Sequence, residues 1–230
     1  KKMRESKALA KFPLEEVVKT SRFGIWISMF ITWVLTGCIV VFILLMPGFV
    51  GGVLGFSPFE TTYFQMGGLV CIVSSCWLTG RLADKHNPST LCILFSAGFA
   101  VSSVAFFSLL YTAAPVVSEV VLAYFATCFF AGIMNFCPIF MCDVFPARIR
   151  FSGISFAYNI AYALSGAFTP QLSFALHAYA KTHPDTLGAM GLSAYIVFLA
   201  LVSIGTALAM RRVYKNGGAA VSQMEFRPAP

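Results

Sequence analysis

Six stretches of this 230-residue chain contain no Asp, Glu, Lys or Arg, at positions 23–59, 61–80, 86–118, 120–142, 151–180 and 186–210. The shortest is 20 residues, and a helix needs about 20 apolar residues to cross a hydrocarbon core of about 30 Å. Such spacing leaves few folds open. Apolar residues make up 58% of the chain and charged residues 11%, against roughly 45–50% and about 25% in soluble domains. A soluble globule of this length could not cover its surface with 16 basic and 9 acidic residues. The composition therefore predicts an all-α polytopic membrane protein with spans near 23–46, 62–80, 90–111, 120–142, 153–178 and 189–210.

The basic residues sit at the ends of these spans. Topology, not nucleic-acid binding, accounts for the net charge of +7. Lys and Arg before the first span, after the second, after the fourth and in the tail all fall on one side of the membrane. Fifteen of the sixteen lie there, and only Lys181 lies opposite. By the positive-inside rule both termini are cytoplasmic. The external loops are expected at 47–61, 112–119 and 179–188. The first 22 residues are charged throughout and offer no signal-peptide core. The seven cysteines form no CxxC pair and no His cluster accompanies them, so they read as small, buried, reduced apolar residues and no metal is expected.

Several spans carry polar groups that a plain anchor would not need. Gln65 lies in the second, Asn135 and Pro138 in the fourth, and Asn159, Pro170 and Gln171 in the fifth. Tyr158, Tyr162, Ser165 and Thr169 repeat at helical spacing on one face, and Thr61, Gln65, Gly68 and Ser75 nearly do so. A polar stripe at membrane depth must face protein or water. Helix packing by small and hydroxylated residues is one reading. A cavity lined by proline-interrupted helices is the other. No charged residue lies in the middle of a span, so a proton-carrying acid is not expected in this chain. Glu60, Glu119 and His177 read as solvated charges at external ends.

Two loops on the basic side are more specific. The first runs Gly80-Arg81-Leu82-Ala83-Asp84-Lys85-His86-Asn87-Pro88. Its carboxylate can pair with a cation or face the positive end of a helix. This run resembles the Gly-x-Leu-Ala-Asp-Arg/Lys signature of the major facilitator superfamily, departing after Lys85, where Asn87 is expected to take the left-handed turn. The second runs Asp143-Val144-Phe145-Pro146-Ala147-Arg148-Ile149-Arg150-Phe151-Ser152-Gly153. It is similar to the loop of that superfamily's metabolite:proton symporter group, which includes proline/betaine, α-ketoglutarate, shikimate and citrate carriers. Tyr158-Asn159, the Gly166…Pro170 pair and the opening Pro13-Leu14-Glu15-Glu16 are similar to the same group.

The resemblance implies the C-terminal six-helix half of a twelve-helix secondary transporter in a bacterial cytoplasmic (inner) membrane. Residues 1–22 would be the central linker, 23–210 the transmembrane domain and 211–230 a disordered cytoplasmic tail. It implies alternating access for a small organic acid or zwitterionic metabolite, driven by a proton gradient, with no other cofactor. The partners implied are the bilayer, the solute and an N-terminal half, fused upstream or separate; any proton-carrying acid would lie in that half. Gly80, Arg81, Asp84, Lys85, Asp143, Pro146, Arg148, Arg150 and Gly153 would form the gating loops, with the other charges as a network around Asp84. Gln65, Asn135, Tyr158, Asn159, Tyr162 and Thr36 would face the substrate. The chain begins at Lys1 without an initiating Met, so a fragment, a split gene or a truncated product is expected, and a six-helix half alone is not expected to transport. The competing reading is a vestigial six-span protein without transport activity.

Enzymatic chemistry is not expected. Six spans with Ser165-Gly166 and His177 invite comparison with rhomboid-type intramembrane proteases. Position 163 is Ala, where their nucleophile motif needs Gly. His177 lies on the same span as Ser165, about 18 Å away at about 1.5 Å per residue.

Overall fold

A computed structural model describes residues 13–112, 114–183 and 186–215. Among the described residues there are seven helices: α1 (Pro13–Thr20), α2 (Arg22–Leu54), α3 (Pro58–Ala83), α4 (Pro88–Leu110), α5 (Val117–Val144), α6 (Arg150–Thr182) and α7 (Thr186–Lys215). No strand occurs among the described residues. The fold is an all-α membrane bundle, as the charge-free runs predict. The tail expected to be disordered lies outside the described residues, apart from the end of α7.

Among the described residues five helices are long and apolar enough to cross a membrane: α2, α3, α4, α5 and the Met190–Lys215 part of α7. The sequence predicts six. Helix α6 has the length, 33 residues, but its Tyr, Asn, Gln and Ser residues dilute its hydropathy. Its packing supplies the missing argument, because α6 runs parallel to α2 along its whole length. At one end, Cβ atoms built on Gly24 and Gly153 would meet the same Phe145 ring, at 3.0 and 2.6 Å. Midway, the rings of Trp33 and Phe168 lie 6.0 Å apart. Phe49 stacks on His177 at 4.0 Å, and a Cβ on Gly52 would lie 3.2 Å from Lys181 Nζ. A helix that shadows a spanning helix from end to end covers the same depth.

The helices form two triplets with matching contacts. Helix α2 packs on α6 and α7, as α5 packs on α3 and α4; α2 also packs on α5, and α4 on α7. Exchanging α2 with α5, α3 with α6 and α4 with α7 preserves this pattern. Successive spans alternate in direction, so the triplets are inverted copies. Lipid is as apolar as a leucine side chain, so burial alone does not drive this packing, and close fit must do so. A Cβ on Gly68 would lie 2.6 Å from Tyr124, and one on Gly132 would strike Ser75 Oγ. Buried aromatics fill the space between: Phe42 meets Phe99 edge-on at 5.5 Å, and Phe64 stacks on Tyr124 at 4.0 Å.

The turns are tighter than predicted. Residues 47–54, expected as loop, continue α2, and 58–61 already belong to α3. Gly55, at φ 69°, ends α2 in the left-handed conformation that glycine adopts without strain. Ser57 then opens α3 with a capping box: its backbone N–H and hydroxyl both reach Glu60 Oε2 at 2.7 Å. Glu60 is therefore a helix cap. Residues 179–182, also expected as loop, extend α6.

Candidate functional site

Proline explains the first group of polar side chains. Pro47 has no N–H, so the carbonyl of Ile43, four residues earlier, loses its helical donor. The helix answers with a π turn over Val40–Leu45. Gln65 Nε2, from α3, donates to Ile43 O at 2.7 Å. Beside it, Tyr124 Oη, from α5, donates to Phe42 O at 2.9 Å. The inverted copy has a counterpart. A 3₁₀ turn, Ala131–Asn135, precedes Pro138 in α5. Asn135 Nδ2 donates to Cys76 O and Thr79 Oγ1 of α3, both at 3.2 Å. Pro170 does not break α6, which is continuous through it.

The other candidates divide. Thr36 is 1% exposed and its hydroxyl donates to Thr32 O at 2.9 Å, so it is inside the bundle. Tyr158 and Tyr162 stack with ring centroids 5.6 Å apart on α6. Asn159 beside them is exposed, with its amide donating to Ser155 O at 2.7 Å. Tyr162 is 46% exposed, and among the described residues neither tyrosine hydroxyl makes a hydrogen bond. The predicted four-residue stripe is thus split: Tyr162 is exposed, Tyr158 is half-buried against the core cluster that includes Phe136 and Cys137, and Ser165 and Thr169 are buried. No hydrogen bond joins the tyrosine pair to Gln65 or Asn135 among the described residues.

Thr169 reveals a cluster that the sequence reading missed. Its hydroxyl lies 2.7 Å from Tyr195 Oη, which also accepts from Trp33 Nε1 at 3.3 Å. Three helices, α2, α6 and α7, meet there. The available signal was aromatic side chains with polar tips inside charge-free runs, since such tips find partners when buried. His177 is a second correction. It is half-buried, stacked on Phe49, with Nδ1 2.5 Å from Tyr111 Oη. It is not a solvated end charge.

The loop after α3 is exposed. Backbone N–H groups of Asp84, Lys85 and His86 bond back to Gly80 and Leu82. Asn87 is extended at φ −62°, not left-handed, and its side chain accepts from Ser89 N at 2.9 Å. The cause is Pro88, which disfavours other conformations at the residue before it. Arg81 lies over the Trp77 ring, 4.1 Å from its centroid. Asp84 and Lys85 are exposed and make no ion pair among the described residues.

The loop after α5 is tied in at every charge. Tyr214 Oη donates to Asp143 Oδ2 at 2.5 Å, and Arg150 Nε donates to Phe145 O at 3.0 Å. Arg148 pairs with Glu16 of α1 at 3.1 Å. Phe145, fully buried, sits with Val17 of α1 and Ile149. Pro146 is part of the same turn, its carbonyl accepting from Ile149 N at 3.1 Å. The single network expected around Asp84 is therefore not formed by these charges; Asp143, Arg148 and Arg150 each have a local partner elsewhere. All seven cysteines are free, and Cys142, expected to be buried, is exposed. Among the described residues no cluster of His, Cys, Asp and Glu could hold a metal ion.

The sequence profile of the Major Facilitator Superfamily matches residues 1–170. No curated protein and no solved structure matches the chain. The profile spans most of the chain and includes both motif loops, which the structure puts between α3 and α4 and between α5 and α6. The chain belongs to the major facilitator superfamily and is a multi-pass membrane transporter protein.

Proposed function

We propose that this member of the major facilitator superfamily forms the C-terminal six-helix half of an alternating-access carrier, moving a small organic acid or zwitterionic metabolite by proton symport. The carrying observation is the outward face of α6. Tyr158, Asn159 and Tyr162 stand about 12 to 18 Å along a helix that rises about 1.5 Å per residue. Two hydroxyls at that depth, without a hydrogen bond among the described residues, would cost several kcal/mol against hydrocarbon. They therefore face water, solute or protein, which is what the wall of a transport path requires. Gln65 and Asn135 hold the broken segments of α2 and α5 on either side of α3, and Thr36 supports the fold from within. Asp84, exposed and unpaired, gates by meeting the other half, with Arg81 and Lys85 beside it. Gly80 and Gly153 permit close passage at the loop ends.

In this reading both termini are cytoplasmic, the membrane is a bacterial inner membrane, and the proton gradient is the only energy source. The proton-carrying acid lies on the other half, because no charged residue occupies the middle of a span here. Uptake of a panel of labelled organic acids and betaines by the whole protein in its native membrane tests this. One solute should accumulate, collapse with a protonophore, and be taken up less well by Tyr162→Phe. Uptake of none would favour the vestigial reading. Immunoblotting those membranes with an antibody to residues 217–230 reports whether the other half is fused.

A further inference from the structure

We infer that the bundle carries a binding site for an anionic glycerophospholipid in the groove between α2 and α7, independent of the transported solute. The groove has a volume of about 380 Å³ and is lined by Phe23, Trp26 and Phe30 of α2 and Val202, Gly205 and Ala209 of α7. Trp26 and Phe30 stack at 5.8 Å to form one wall. The hydroxyl of Thr206, which also lines it, donates to Ser203 O at 2.8 Å, so the groove presents carbon to its occupant. From Phe23 to Phe30 it runs about 10 Å along the helix, about a third of the depth of the hydrocarbon core. That suits a segment of acyl chain.

The mouth is cationic. Arg22 stands one turn before Trp26 on the stripe Arg22, Trp26, Phe30, and Arg212 stands three residues beyond Ala209 on the face of α7 that lines the groove. The two helices run antiparallel here, so both arginines mark the same end. Both are exposed and, among the described residues, neither has an ion pair or hydrogen bond. Unpaired guanidinium groups over an apolar groove at a membrane surface fit a phosphate headgroup with its chain below. Nothing in the groove itself could hold a polar solute.

The test adds phosphatidylglycerol to the full chain in phosphatidylcholine nanodiscs. Retained lipid is counted by native mass spectrometry, and tryptophan quenching by brominated acyl chains is followed, with Trp26→Phe identifying the Trp26 share. The wild type should retain phosphatidylglycerol over phosphatidylcholine. Replacing both arginines, Arg22→Gln with Arg212→Gln, should weaken this roughly thirtyfold, the loss of two ordinary contacts between basic residues and an anionic surface. A Cβ on Gly205 meets nothing within 4 Å, so Gly205→Leu should fill the groove, keep the thermal midpoint and abolish both retention and Trp26 quenching. Retention unchanged in Gly205→Leu, a preference that survives loss of both arginines, or cross-linking of Gly205→Cys to another polypeptide in native membranes would each overturn the assignment.

Discussion

The two motif-bearing loops lie at the same side of the bundle and are built on opposite plans. The loop after α3 is held by its own backbone and by one cap, Asn87 on Ser89 N. Its acid and its lysine are left exposed. The loop after α5 is held by the rest of the protein, through Phe145 in the core, Tyr214 on Asp143 and Glu16 on Arg148. Similar composition thus serves different ends. Charges satisfied within the half order the half, whereas charges left over are available to something outside it.

The largest test of this contrast is Phe145→Ala. Removing a buried ring costs about 3–5 kcal/mol, so thermal unfolding of the purified protein should shift sharply downward. A small shift would mean that the second loop is not anchored by its core residue. Next, Asp84→Asn should lower uptake by the whole carrier about tenfold, equivalent to losing a contact of about 1.4 kcal/mol, with thermal stability within about 0.5 kcal/mol of wild type. Matching losses of stability and uptake would erase the distinction between the loops. Asn87→Ala should cost about 1 kcal/mol in the same unfolding assay, the ordinary value of a helix cap. A null effect would show that the first loop needs no local support. The smallest effect belongs to Arg148→Gln, about 0.2–1 kcal/mol for a solvent-exposed pair. Its clearer readout is faster proteolysis at residues 13–20, since α1 loses its ion pair to the rest of the bundle and is left with Val17 as its buried anchor.

Charge spacing alone made the number of spans legible. It found even α6, which hydropathy underrates because the residues that make it interesting also dilute it. The family was legible in the Asp84 and Arg148 loops. What escaped the sequence were features that depend on a partner elsewhere in space. Pro47 looked like the start of a loop, because nothing in its neighbourhood announces that Gln65 will repair the helix. Asn87 stands where the family pattern has a left-handed glycine, and only its neighbour Pro88 signals the extended backbone it adopts. His177 looked solvated, because Phe49 and Tyr111 lie 128 and 66 positions away in the chain. Of the candidate path, Tyr162 emerges on an open face, whereas helical periodicity could not show that Ser165 and Thr169 are buried or that Tyr158 packs half-buried against the core.

The repaired helix has a consequence for biosynthesis. Until Gln65 arrives, the carbonyl of Ile43 has no helical donor, and an orphaned carbonyl in hydrocarbon costs several kcal/mol. The first span is thus incomplete as a lipid-soluble object when it is made. It becomes complete when the second, joined by the three residues Gly55–Ser57, swings alongside. The two spans should therefore enter the bilayer as a hairpin, and the order of synthesis is written into one amide.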